Sequence, residues 1–200
     1  MIPEGPLLWY VNRGTGLVLV ALLTLVVALG VWSARTRAGG RVPGFAVQAL
    51  HRRASLLTLV LLLVHAGSAV LDEYVDIRWW QVIVPRDLHY RAPWLAAGIV
   101  ATDVLVAVVL TSLVRRRLPL RAWRGLHLMA YAAWAVAVVH GLGIGTDTGT
   151  AWARWAYAVS LGVVALVLVL RVASTGASRP ASARPATRGA SAADLVGDVR

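Results

Sequence analysis

HRRASLLTLVLLLVH, residues 51–65, and HLMAYAAWAVAVVH, residues 127–140, decide how this chain is read. Each is an apolar run closed at both ends by histidine, with thirteen residues between the pair in the first and twelve in the second. On a helix rising about 1.5 Å per residue, His51 and His65 stand about 21 Å apart, and His127 and His140 about 19.5 Å apart. The hydrocarbon core of a bilayer is about 30 Å thick, so each helix carries one histidine towards each face.

The rest of the sequence supports a membrane setting. Of 200 residues, 58% are hydrophobic and 14% charged, and the mean hydropathy is +0.69. That is too apolar for an ordinary soluble domain. The net charge of +11 comes from twenty arginines with no lysine. A nucleic-acid reader needs a basic face on a soluble fold; here the arginines cluster between apolar runs, as membrane topology requires, so nucleic acid is not an expected partner. There is no cysteine, which excludes disulfides, thiolate-held clusters and covalent haem attachment.

Five spans are expected: Leu17–Trp32, Phe45–Leu71, Trp94–Val114, Trp123–Leu142 and Trp152–Arg171. Trp9 and Tyr10 read as interfacial aromatics, and Arg13 as a cation reaching for head groups. A signal peptide competes for the first span, but Glu4 precedes the apolar run and Arg35, Arg37 and Arg41 follow it, a charge order that favours an uncleaved helix. Asp72–Arg91, with Trp79, Trp80 and Pro85, reads as a loop along the membrane surface. GLGIGTDTGT (141–150) reads as a helix-ending turn, since the Lys-Ser/Thr of a phosphate loop is missing. The tail 173–200 is rich in Ala, Ser, Arg, Pro and Gly and is expected to be disordered.

The stretches 33–53 and 115–124 are strongly basic, 72–91 is mixed, and 141–151 carries only Asp147 as a charge. The positive-inside rule then puts the N-terminus outside and the C-terminus in the cytoplasm, and the expected location is the cell's inner, cytoplasmic membrane. The second and fourth spans run in the same direction. His51 and His127 thus share an inner depth, and His65 and His140 an outer one.

Ionisable groups inside a bilayer are costly and mark function, and imidazole is a common axial ligand of haem iron. Four histidines at two matched depths suit two stacked b-type haems. A zinc site needs three or four ligands gathered together, which histidines about 20 Å apart on each helix do not supply. Proton conduction or helix packing in a non-redox transporter or assembly subunit is the alternative, although transporter sites gather near the midplane. Helical phase poses a condition: fourteen steps leave His65 about 40° from the face of His51, while thirteen leave His140 about 140° from that of His127. The fourth helix therefore needs a kink, a change of pitch, or rotated haem planes, with Gly141, Gly143 and Gly145 available to loosen its end.

In these residues the chain resembles the ferric reductase-like transmembrane domain family, which includes NADPH oxidase membrane domains and the haem-binding membrane subunit of bacterial methionine sulfoxide reductase systems. The resemblance rests on His51-x13-His65 followed by Trp123, Leu126, His127, Tyr131 and His140 in W-x2-L-H-x3-Y-x8-H, and the unequal spacings are the family's. It covers about residues 10–172 and implies a haem-binding domain over 1–172. It also implies two b-type haems, with His51 paired to His127 and His65 to His140 as iron ligands. Electrons would pass from a cytoplasmic flavoprotein or quinol to an outer acceptor: a flavin-bearing partner, ferric iron or a partner reductase. Flavin or quinone would come from separate partner proteins, because the chain carries no nucleotide-binding unit, and it has five spans where six are commoner. Arg52, Arg53 and Arg124 are candidate partners of the inner haem's propionates, and Arg91 of the outer one's. Tyr131 fits the motif or simple packing. Asp103, in the third span, is expected to be protonated or turned into the bundle, and His89 to be solvated.

Overall fold

A computed structural model describes residues 7–35, 42–72 and 75–176; Glu4, Arg37, Arg41 and the expected tail from 177 onward lie outside them. Five long helices form: α1 (Leu7–Arg35), α2 (Gly44–Leu71), α3 (Ala92–Leu113), α4 (Leu120–Ile144) and α5 (Ala151–Gly176). All five are long and apolar enough to cross a membrane, and no strand occurs among the described residues. Prolines mark several starts: Pro43 and Pro119 precede α2 and α4, and Pro93 lies in the first turn of α3, where a missing N–H costs nothing.

α1 is the most enclosed of the five. It packs along α2 and also touches α4 and α5, while α3 packs along α4. The main core joins Val20, Leu23 and Val27 of α1 to Trp134 and Val138 of α4 and Tyr157 and Val164 of α5. Trp134 Nε1–H donates to Thr24 Oγ1 at 3.0 Å, which satisfies both buried polar groups. Outside this core many large apolar side chains stay exposed, among them Leu63, Leu110 and Val169, as a lipid-facing surface requires.

α1 begins at Leu7, ten residues before the apolar run that hydropathy picks out. Its polar first turns are held by distant partners. Asn12 Nδ2 donates to His65 O at 2.8 Å and to Ser68 Oγ at 3.2 Å, and Arg13 forms an ion pair with Asp147 in the α4–α5 turn. The bundle thus has a loop end, with the start of α1, the α2–α3 loop and the α4–α5 turn, and an arginine end, with Arg52, Arg53, Arg115–Arg117, Arg121 and Arg124.

The α2–α3 loop contains one 3-10 turn, Trp79–Val82. It folds back on the bundle through Ile77, Val82 and Leu88, which pack on Leu95 and Ile99 of α3. Gln81 is buried and donates to the carbonyls of Arg86 and Asp87 at 2.8 and 3.0 Å while accepting from Arg78 N. Trp79 remains exposed. The loop therefore covers the end of the bundle as well as presenting apolar surface.

Candidate functional site

α2 and α4 share no extended backbone contact among the described residues, each being backed instead by a neighbour, α2 by α1 and α4 by α3. Two cavities occupy the space so left. The one at the loop end, about 220 Å³, is lined by His65 and His140. The one at the arginine end, about 90 Å³, is lined by His51 and His127. Leu23, Leu62 and Leu105, from three different helices, line both and form the wall between them.

The structure brings the histidines together in two pairs. The His51 and His127 ring centroids are 6.2 Å apart with planes inclined at 68°. Those of His65 and His140 are 6.4 Å apart and inclined at 85°. An imidazole nitrogen binds a transition metal at about 2.0 Å, so rings at these separations would leave room for one metal ion held between them. α4 runs without interruption from Leu120 to Ile144.

Hydrogen bonds fix the tautomers. His65 Nδ1 lies 3.0 Å from Asn12 O, with Thr15 Oγ1 at 3.3 Å; His51 Nδ1 lies 3.0 Å from Val26 O; His140 Nδ1 lies 2.7 Å from Trp94 O. A carbonyl only accepts, so each Nδ1 carries the proton and each Nε2 keeps a bare lone pair, the state a metal ligand needs. His127 Nδ1 is 3.4 Å from Ser112 Oγ. That hydroxyl already donates to Val108 O at 2.7 Å, so it accepts from His127. Trp123 also stacks on His127, centroids 5.0 Å apart, with the Arg115 guanidinium 5.1 Å from the indole centre.

Among the described residues no three of His, Cys, Asp or Glu gather into a metal-holding group. A tetrahedral ion needs such a group, whereas a porphyrin iron takes two protein ligands and brings the other four nitrogens itself. The donor set therefore fits haem: paired neutral imidazoles, a largely apolar cavity at each pair, and no cysteine.

The other sequence candidates lie further out. Arg52, Arg53 and Arg124 are exposed at the arginine end and do not line the cavity there. Arg91 donates from Nη1 to Gly143 O at 2.8 Å, which ties the start of α3 to the last turn of α4. Tyr131 lines the arginine-end cavity and accepts a hydrogen bond from Arg171 at 3.4 Å. Asp103 is half-buried midway along α3 and lines neither cavity, and His89 is exposed. Sequence reasoning missed Asn12, Thr15 and Ser112, small polar residues within apolar helices whose partners are remote in the chain.

Residues 15–138, well over half of the chain, match the family model described as ferric reductase like transmembrane component. The match includes His51, His65 and His127 and ends two residues before His140. No curated protein and no solved structure matches the chain.

Proposed function

Because the chain belongs to the family of ferric reductase like transmembrane components, multi-pass membrane proteins of electron transfer whose domains generally bind haem, we propose that it is a di-haem electron conduit. On this reading His51 and His127 hold one b-type haem and His65 and His140 a second, in a domain over residues 1–172. The observation that carries it is the pair of imidazole centroid separations, 6.2 and 6.4 Å, each with room for a metal between the rings, at opposite ends of the same two helices.

When bound, the two haems supply one-electron carriers at two depths of the membrane. The chain's own residues hold, orient and isolate them. Val26, Asn12 and Trp94 lock three imidazoles as Nδ1–H tautomers through their carbonyls. Leu23, Leu62 and Leu105 keep the space between the cavities apolar, which excludes water and lowers the dielectric around the charge carriers. No acid–base or nucleophilic side chain is required.

The arginine end is the cytoplasmic one on this reading, because cationic loops are retained there, in an inner, cytoplasmic membrane. Arg52, Arg53 and Arg124 stand at that rim as cations for haem carboxylates and anionic lipid alike. Electrons enter at this end from a separate flavoprotein or quinol. They leave at the loop end to a flavin-bearing partner, ferric iron or a partner reductase.

The test is a dithionite-reduced minus oxidised spectrum of the purified protein, with haem per chain counted as pyridine haemochrome. Two b-type haems per chain are expected. Absence of haem from protein made by haem-replete cells would overturn the reading.

A further inference from the structure

The histidines rest on their neighbouring helices by one rule with one exception. On α1, the carbonyl of Asn12 accepts from His65 and the residue four further on is Gly16; the carbonyl of Val26 accepts from His51 and four further on is Gly30. On α3, the carbonyl of Trp94 accepts from His140 and four further on is Gly98. In an α-helix the carbonyl of residue i already receives the N–H of residue i+4. The Cβ of that residue leans back along the helix, over the carbonyl. Glycine at i+4 leaves the oxygen's second lone pair open to an imidazole.

The fit is tight at Gly16 and Gly98 and ordinary at Gly30. A Cβ at Gly16 would lie 3.2 Å from His65 Cε1, one at Gly30 would lie 3.4 Å from His51 Cε1, and one at Gly98 would collide with the His140 ring.

The fourth place breaks the rule. Gly16 and Gly30 are fourteen residues apart, and fourteen residues beyond Gly98 stands Ser112. Its hydroxyl donates to Val108 O, the carbonyl four residues back, at 2.7 Å. Asn12 O and Val108 O each also receive a threonine hydroxyl from three residues on, at 3.0 and 3.1 Å, so the serine at the fourth residue is what takes the place that imidazole has at the other three. His127 is left with the hydroxyl at 3.4 Å, the longest of the four contacts.

On the di-haem reading, on which this rests, we infer that Ser112 is a positioning residue that sets the reduction potential of the haem held by His51 and His127, by withholding a backbone acceptor from His127. An axial imidazole whose Nδ1–H donates strongly is more basic, favours ferric iron and lowers the potential; a weak donation does the reverse. Of the four ligands, His127 makes the weakest such bond.

The experiment is a potentiometric titration of the purified full chain, followed in the reduced haem absorbance, for wild type, Ser112→Ala and Ser112→Gly. The arginine-end haem is identified as the one lost in His51→Ala. Wild type without haem would overturn the di-haem reading and this inference with it. With haem present, Ser112→Gly leaves the Val108 carbonyl with Thr111 Oγ1 at 3.1 Å, as Asn12 O holds Thr15 Oγ1 at 3.0 Å and still receives His65, so His127 gains that carbonyl and the potential of the arginine-end haem falls. Ser112→Ala keeps the obstructing Cβ and removes the hydroxyl, so the imidazole loses its acceptor and that potential rises. The loop-end potential stays put in both. A merely structural role would shift both variants the same way or only reduce haem content. Shifts of the same sign, no shift, or loss of the arginine-end haem from Ser112→Gly would overturn the inference while leaving the haem count, and the conduit, intact.

Discussion

The loop-end pair, His65 and His140, and the arginine-end pair, His51 and His127, have nearly the same ring separation and are held by different means. At the loop end both rings donate to backbone carbonyls, and both lie against a glycine, Gly16 or Gly98. Asn12 and Thr15 add polar contacts, and the cavity is more than twice the volume of the other. At the arginine end only His51 has a carbonyl and a glycine, while His127 has a hydroxyl and the stacked face of Trp123. One ring spacing is thus built twice, once by hydrogen bonds into two notched helices and once with a single notch and an aromatic wall. The shared wall of Leu23, Leu62 and Leu105 keeps the two solutions physically separate.

The strongest way to break this comparison is to remove one ligand at a time. His65→Ala or His140→Ala is expected to lose the loop-end haem and keep the other, giving one haem per chain by pyridine haemochrome. His51→Ala or His127→Ala should do the converse. Loss of both haems in every single variant would mean that the two halves form one cooperative site.

The glycine notches offer the next largest effect, and they are graded. Gly98→Ala drives a methyl into the His140 ring, whereas Gly30→Ala places it at ordinary contact distance from His51. Gly98→Ala is therefore expected to cost the loop-end haem, or about 1–3 kcal/mol of stability as core overpacking does. Gly30→Ala should leave both haems in place. The haem-to-protein ratio and the thermal midpoint in detergent separate the two cases; equal effects would mean that the notches are incidental.

Much of this was legible in the chain, and the remainder was hidden for identifiable reasons. Hydropathy and the arginine clusters locate all five helices, because lipid demands long apolar runs whose backbone is satisfied internally. The start of α1 was hidden because Asn12 and Arg13 look like an aqueous flank until their partners, His65, Ser68 and Asp147, are known. The ligand candidates could be read because intramembrane histidine is rare and the fourteen-residue step is regular. The notches carried the same signal unread: Gly16 to Gly30 repeats the His51 to His65 interval, as two antiparallel helices in contact require. Ser112 gave no such sign, since a serine in an apolar helix satisfies its own hydroxyl on the preceding turn, and only the missing glycine makes it informative.

A smaller effect sharpens the contrast in polar support. Asn12→Ala removes donors to His65 O and Ser68 Oγ at 2.8 and 3.2 Å, while the Asn12 carbonyl still receives the imidazole. Groups that orient a metal's ligands alter affinity about 10–100-fold when lost. The expected result is a loss at the lower end of that range, confined to the loop-end haem, measured by haem transfer to an apo-globin acceptor. Equal weakening of both haems would count against separate supports.

The smallest expected effect concerns the ion pair of Arg13 and Asp147. It joins α1 to the α4–α5 turn beside the loop-end cavity, and the Arg13 guanidinium lies 4.3 Å from the centre of the Trp9 ring. Both side chains keep some solvent access, 26% and 17%, so water screens much of their attraction and the pair is worth about 0.2–1 kcal/mol. A double-mutant cycle of Arg13→Ala and Asp147→Ala, read as thermal stability at low and high salt, should give a positive coupling that shrinks as salt rises. Arg13→Ala alone should cost more than Asp147→Ala, since it also strips the cation from the face of Trp9. A coupling of zero at low salt would remove the pair from the account of how the loop end is closed, leaving Asn12 as the polar tie between α1 and the loop-end histidines.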